Sequence, residues 1–181
     1  MTEDLITIPE YIKINTDRLE LIKNKGLKNR VKNECNVLYK IYHNVVIKVD
    51  TNKDTDINDK LTIEAVEFIN ANVRTYKFII TSQFPFHPPK MFVNNRSYAE
   101  IMRIKGDYEK TMIKKIKKQD CFCCRSVCCF SNWSPAIKLF NVINEIKDIL
   151  KFKRDIVNLL LADKIKNKYN IPYAYIETYL M

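Results

Sequence analysis

The distribution of the cysteines is the strongest constraint on this chain. Five of the six lie within nine residues, from Cys121 to Cys129, in a chain of 181 residues. A secreted disulfide scaffold spreads its cysteines so that they cross-link distant segments, which one short cluster cannot do. We therefore expect free thiols and a reducing compartment, either cytoplasmic or nuclear. The N-terminus has no apolar run of signal length and residues 156–162 are too few to span a bilayer, so no membrane is expected as a partner.

The overall composition is typical of one packed domain covering residues 1–181. Hydrophobic residues make up 46% of the chain and charged residues 29%, which excludes wholesale disorder. The only glycines are Gly26 and Gly106. Glycine-rich phosphate-binding loops are therefore excluded as well.

The apolar pattern predicts an α+β fold that begins with a helix over residues 9–25. Pro9 suits the first helical position and Gly26 the position just after the helix, and a lysine-rich connector follows. Alternating and β-branched residues then predict an antiparallel meander. Its strands are expected at residues 36–50, 61–68 (with a bulge), 73–81 and 90–93.

The second half of the chain is predicted to be a cysteine-bearing loop followed by C-terminal helices. Before the cysteines, residues 99–118 form a basic insertion of helical character. After them, Ser134 is a good N-cap and Pro135 a good first residue for a helix that runs to about residue 152. A second helix is expected over residues 155–169.

The formal net charge of +10 raises the question of an acidic partner. The densest basic run lies at residues 114–118 in the insertion, where it could contact nucleic acid or an acidic protein surface. Lysine is abundant throughout the chain, however, so nucleic acid is not the expected partner.

Two short motifs flank the cysteines. The first is Phe84-Pro85-Phe86-His87-Pro88-Pro89-Lys90, and the second is Trp133-Ser134-Pro135-Ala136. Both resemble elements of the ubiquitin-conjugating enzyme family, in which they stand in this order on either side of the catalytic cysteine. The resemblance covers about residues 76–150. It implies the fold of that family, which agrees with the predicted order of helix, meander, cysteine loop and helix.

The resemblance implies an acyltransferase without a cofactor. Such an enzyme receives ubiquitin or a ubiquitin-like protein from an activating enzyme as a cysteine thioester and, usually with a ligase, transfers it to a substrate lysine. A thiolate is both a strong nucleophile and a good leaving group, which suits this relay. Cys124, nine positions before Trp133, is the expected nucleophile, and Cys123 is the next candidate.

The same resemblance suggests which surfaces meet the partners. Phe86, Pro135 and Ala136 match positions that contact ligases. Lys13, Arg18 and Lys23 match in kind the basic helix surface that meets the activating enzyme, although an ordinary solvated helix face accounts for them equally well.

The chain departs from the family pattern at the position that supports the oxyanion. The His-Pro-Asn element is absent, and a side-chain donor of this kind is worth about 3 kcal/mol. Asn132, Ser126 and Asn95 are the candidate replacements. The glycine before the nucleophile is also missing, and residues 151–181 diverge from the family's terminal helices.

These departures leave two alternatives open. One is a catalytically inactive adaptor of the same fold, which binds ubiquitin or a ligase without thioester chemistry. The other is a zinc-binding or nucleic-acid-binding domain. Thiolates are good zinc ligands, but four ligands within nine residues make a strained site. The candidate ligands for zinc are Cys121, Cys123, Cys124, Cys128 and Cys129.

Overall fold

The structure, a computed structural model, describes residues 19, 22–42, 44–50, 60–69 and 72–169. The chain divides into two compact units. The first comprises Met1–Tyr98 and Val127–Ile143, and the second comprises Ala99–Ser126 and Asn144–Met181. The fold class is α+β, with an N-terminal helix, a five-stranded antiparallel sheet and a C-terminal helix. The predicted class and the predicted order of elements are therefore confirmed at this level.

The first helix, α1, spans Lys25–Tyr39. Its N-cap is Asn24, whose side-chain oxygen accepts the backbone N–H of Leu27 at 3.0 Å. Gly26 thus lies at the start of a helix, and the prediction that it follows the end of one is wrong. The predicted connector contains a buried helix face instead, because Val31, Cys35 and Leu38 recur at helical spacing. Residues 9–18, 20 and 21 of the helix predicted over residues 9–25 lie outside the described residues.

The sheet is a simple meander in the first unit. Its strands pair antiparallel with their chain neighbours, in the order β1-β2-β3-β4-β5. The strands are β1 Asn44–Asp50, β2 Lys60–Ile69, β3 Asn72–Ile80, β4 Lys90–Val93 and β5 Arg96–Ser97. The strand predicted from residue 36 begins only at Asn44, because residues 36–39 complete the buried face of α1.

Strand β2 is regular, and the bulge predicted in it is absent from the described residues. Leu61 pairs with Ile80 and Ile69 with Asn72 in one continuous register. Leu61, Ile63 and Ala65 are buried on one face of the strand. Phe68, which disturbed the alternation in the sequence, lies on the other face and is exposed, so no shift of register is needed.

The core of the first unit lies between the sheet and the helices that contact it. Helix α1 packs against β1. Strand β3 contributes the alternating buried side chains of Tyr76, Phe78 and Ile80, as expected for a strand with one buried face. The ring of Tyr76 contacts that of Tyr42, with centroids 5.9 Å apart.

The second unit contains the basic insertion, which is helical as predicted. Helix α2 spans Tyr98–Met102 and α3 spans Asp107–Met112, and a π-helical turn continues over Ile113–Lys117. Ile101, Met102 and Ile113 are buried. The lysines of the turn are exposed, so the charge of the insertion faces solvent.

A single helix, α4, covers Leu139–Tyr169. The prediction of two C-terminal helices is therefore wrong for the described residues. No glycine or proline interrupts this stretch, and buried residues continue through it as Ile146, Ile156 and Ala162. The helix also begins later than predicted, because residues 134–137 form a turn in which the N–H of Ile137 donates to the carbonyl of Ser134 at 2.9 Å. None of the described helices has both the length and the apolar character to cross a bilayer.

Candidate functional site

The two sequence motifs meet in the first unit. The indole N–H of Trp133 donates a hydrogen bond of 2.7 Å to the carbonyl oxygen of Pro85. The ring of Trp133 also lies against that of Phe84, with centroids 6.3 Å apart. The Phe84–Pro85 peptide bond is cis. Segments separated by 48 positions in the chain are therefore joined through the tryptophan, and we refer to residues 129–138 as the Trp133 loop.

A buried carboxylate, that of Glu34, supports the end of the Trp133 loop and the start of α4. Glu34 of α1 accepts the backbone N–H of Leu139 at 2.8 Å, which caps α4, and it pairs with Arg30 at 2.8 Å. Arg30 in turn donates to the carbonyl of Ile137 at 2.8 Å and lies over the ring of Phe84. Burial raises the pKa of Glu34 above its usual value, against the opposing effects of the Leu139 hydrogen bond and the nearby cations Arg30 and Lys138.

Sequence reasoning missed Glu34 and Arg30. The available signal was their i,i+4 spacing, in a stretch that the sequence analysis predicted to be a connector. That spacing is common on exposed helix faces, and only the structure shows that Glu34 is fully buried.

The first unit also has exposed apolar residues. Phe86 is 74% exposed and Phe130 is 70% exposed, and Pro135 and Ala136 are exposed as well. His87 contacts the edge of Phe130, with ring centroids 5.2 Å apart. The three residues predicted to contact ligases thus all lie on the surface of one unit. Phe130 is an additional member that the sequence analysis did not identify.

The cysteines nearest the predicted nucleophile lie on a short turn in the second unit. Cys123–Arg125 form one turn of 3₁₀ helix, closed by the N–H of Ser126, which donates to the carbonyl of Cys123 at 3.1 Å. Phe122, just before the turn, is buried against Phe152 of α4, with ring centroids 5.9 Å apart. Ser126, just after it, is buried and donates to Glu145 at 3.2 Å. Both ends of this cysteine turn are therefore anchored, and the thiols of Cys123 and Cys124 are exposed.

Three thiols come together at the cysteine turn. The sulfur of Cys121 lies 2.9 Å from that of Cys124 and 3.1 Å from that of Cys123. The hydrogen bonds with Cys124 and then with Cys123 lower the pKa of Cys121 to about 7. The hydrogen bond with Cys121 raises the pKa of Cys123 and, more strongly, raises that of Cys124 to about 12. Near neutral pH the group therefore carries its first negative charge on Cys121.

The remaining cysteines have other surroundings. Cys128 and Cys129 are half-buried in the first unit, and the carbonyl of Cys129 accepts the N–H groups of Asn132 and Trp133, each at 2.9 Å. Cys35 is buried in α1, and burial raises its pKa to about 12. All six cysteines lie in the described part of the chain, and all six are thiols.

The candidate oxyanion donors differ in their surroundings. The hydroxyl of Ser126 is buried and committed to Glu145. Asn132 and Asn95 are exposed residues of the first unit, and Asn95 has a left-handed backbone with φ of 64°. Of the basic residues predicted to meet the activating enzyme, Lys23 is exposed just before α1. Lys13 and Arg18 lie outside the described residues.

Comparisons of the chain with protein-family models, with curated proteins and with solved structures each found no match.

Proposed function

We propose that this chain is a divergent ubiquitin-conjugating enzyme that carries ubiquitin or a ubiquitin-like protein as a thioester on Cys124. The observation that carries the proposal is the hydrogen bond between Trp133 and Pro85. The resemblance rests on two motifs that are distant in the chain, and a functional pair of motifs should meet in the folded protein. An accidental resemblance would not require this contact.

The exposed cysteine turn supports the choice of nucleophile. A thiol that receives an acyl group from another protein must be accessible, and the side chain of Cys124 is exposed. Phe122 and Ser126 anchor the turn on either side, which fixes the position at which the thiol is presented. Cys123 shares this turn and is the next candidate.

The chemistry would proceed in two acyl transfers. In the first, the thiol of Cys124 loses its proton and its sulfur attacks the carbonyl carbon of the thioester on the activating enzyme, whose cysteine leaves as a thiolate. In the second, the amine of a substrate lysine attacks the new thioester, loses a proton and displaces the Cys124 thiolate. The chain forms a thioester in the first step and an isopeptide bond in the second.

The second transfer is the step for which this chain is poorly equipped. Of the three candidate oxyanion donors, Ser126 is buried and donates to Glu145, while Asn132 and Asn95 are exposed. A missing donor costs about 3 kcal/mol in the transition state, which is a factor of about 10² in rate. We therefore expect transfer from Cys124 to free lysine to be slow unless a partner supplies the donor.

The exposed surface around Phe86 is the proposed docking site for a ligase. Exposed aromatic side chains on rigid loops are typical anchors of protein interfaces. Pro135 and Ala136, which follow Trp133 in the chain, are exposed apolar residues of the same unit. Binding through this surface requires no thioester, so the surface also favours the second candidate function, that of an adaptor of the same fold without thioester chemistry.

One assay separates the two candidates. The full chain is incubated with activating enzyme, ATP and ubiquitin, and the products are resolved with and without reductant. An enzyme gives a reductant-sensitive adduct that is lost in Cys124→Ala, with Cys123→Ala as the alternative site and Cys128→Ala as the matched control. If no adduct forms, or if one persists in both the Cys124→Ala and the Cys123→Ala variants, the proposed nucleophiles are wrong.

The adaptor candidate has its own test. Binding of a ligase domain is measured for the unchanged chain, for Phe86→Ala and for Cys124→Ala. An adaptor loses binding in Phe86→Ala, keeps it in Cys124→Ala and forms no adduct in the loading assay. Loss of binding in Cys124→Ala alone would exclude an adaptor that acts through the Phe86 surface.

A further inference from the structure

Three sulfur atoms lie close together at the cysteine turn. The Cys121 sulfur is 2.9 Å from that of Cys124 and 3.1 Å from that of Cys123, and all three ligand atoms lie within 4.8 Å of one another. These separations are longer than a disulfide bond of about 2.05 Å. A conjugating enzyme needs one thiol here, so the other two have no role in the proposed acyl transfer.

The local fold is able to hold this group in place. Phe122 is buried against Phe152, and Ser126 is buried with its hydroxyl on Glu145, while the 3₁₀ turn between them presents the thiols to solvent. Metal ligands on anchored backbone lose little conformational freedom when they bind an ion. The cysteine turn is therefore better suited to bind a metal ion than a flexible cysteine-rich loop is, because its backbone is already held in place.

The donor set selects a class of ion. Thiolates favour soft or borderline d¹⁰ ions over Mg²⁺ and Ca²⁺, which prefer oxygen ligands. In a tetrahedral zinc site with Zn–S bonds of about 2.3 Å, neighbouring sulfurs lie about 3.8 Å apart. Outward movements of less than about 1 Å, by rotation of exposed side chains about χ1, bring the present sulfurs to that spacing. The fourth position then faces solvent.

Charge gives a second argument for a cation. Three thiolates in contact repel one another strongly, and a divalent ion removes most of that repulsion. The surrounding sequence is basic, with Arg125 directly after Cys124 and four lysines at positions 114, 115, 117 and 118. Three thiolates and one Zn²⁺ leave a net charge of −1, which suits a basic surface.

We propose that Cys121, Cys123 and Cys124 form a three-thiolate binding site for Zn²⁺, with the fourth position open to water or to an external ligand. The site excludes Cys128 and Cys129. The proposal does not rest on the conjugating activity, because it follows from the grouping of the sulfurs alone. Cys124 is both the proposed nucleophile and a proposed zinc ligand. A zinc-bound chain therefore cannot carry an acyl group, and the metal would act as a reversible block of the thiol.

Metal titration of the reduced, metal-free full chain tests the site. Zn²⁺ is titrated in competition with a chromophoric chelator, and Cd²⁺ serves as a spectroscopic probe because its sulfur-to-metal charge-transfer absorbance scales with the number of bound thiolates. We expect one ion per chain and the absorbance of three thiolates per Cd²⁺. Absence of stoichiometric binding, or absorbance that requires four or more thiolates, would overturn the proposal.

Single substitutions identify the ligands. We expect Cys121→Ser, Cys123→Ser and Cys124→Ser each to weaken Zn²⁺ binding by at least about 100-fold, because each removes a direct ligand. The matched controls Cys128→Ser and Cys129→Ser should bind as the unchanged chain does. Equal weakening in the controls would contradict a three-thiolate site. Circular dichroism checks that each variant is folded, and since no ubiquitin is present, failure here leaves the conjugation assay unaffected.

Discussion

The Trp133 loop and the cysteine turn are close in the chain but are held in opposite ways. The loop depends on partners from far away in the sequence, since Trp133 bonds to Pro85 across 48 positions, Arg30 to Ile137 across 107 and Glu34 to Leu139 across 105. The thiols of the turn contact one another across only two or three positions. The loop is thus tied to distant parts of the chain, whereas the turn displays thiols that contact one another.

The largest effect on stability is expected where the loop meets α1. Glu34→Ala leaves Arg30 and the N–H of Leu139 without their buried acceptor, and we expect the free energy of unfolding to fall by about 3 kcal/mol. Urea denaturation followed by circular dichroism measures the change. Asn33→Ala, at an exposed position of the same helix, is the matched control and should change stability by less than about 0.5 kcal/mol. Equal effects of the two substitutions would show that Glu34 does not support the loop.

A smaller loss is expected in the loop itself. Trp133→Phe keeps an aromatic ring beside Phe84 but removes the N–H that donates to Pro85. We expect a loss of about 1 kcal/mol in the free energy of unfolding. Phe86→Ala, which changes an exposed ring, should cost less than about 0.5 kcal/mol. If Phe86→Ala is less stable than Trp133→Phe, then Phe86 supports the fold more than the hydrogen bond of Trp133 does, and our assignment of the two residues is wrong.

The dependence of the free energy of unfolding on pH provides a further test of the role of Glu34. Its pKa is raised in the folded protein, so the folded state holds the proton more tightly than the unfolded state. Its contribution to stability is therefore largest below the ordinary value of 4.5 and declines as the pH rises through the folded pKa. Glu34→Gln stays neutral, so the stability of the unchanged chain relative to this variant should fall as the pH rises above 4.5. A rise over that range would mean that the ion pair with Arg30 outweighs burial.

The smallest effect on stability is expected at the cysteine turn. Cys124→Ser exchanges sulfur for oxygen in an exposed side chain, and the free energy of unfolding should change by less than about 0.5 kcal/mol. The same variant should lose the reductant-sensitive adduct completely. A destabilisation as large as that of Glu34→Ala would show that the thiol is a structural element and would remove the contrast between the two regions.

Local patterns predicted the sheet well. Strands β2, β3 and β4 have alternating apolar residues and polar or proline-rich ends, and these signals depend only on neighbouring residues. Helix α1 was not predicted because its lysines suggested a connector, while the spacing of Val31, Cys35 and Leu38 was the informative feature. The continuous helix α4 was predicted as two helices, although no glycine or proline interrupts it.

The candidate site was predictable only in part. The exposed positions of Phe86, Pro135 and Ala136 followed from the motifs, since prolines fix the backbone around them. Glu34 was not predictable, because its role depends on a contact with Leu139 across 105 positions. The sequence also grouped all five clustered cysteines, whereas the structure brings three sulfurs together and assigns Cys128 and Cys129 to the other unit.

The intact mass of the chain after loading is the most direct test of the proposed function. The chain is incubated with activating enzyme, ATP and ubiquitin, and the modified residue is then located by peptide mapping without reductant. The account predicts a mass increase of one ubiquitin less one water, removed by a thiol reductant and located on Cys124. An unchanged mass, or a modification located on Cys128 or Cys129, would contradict it.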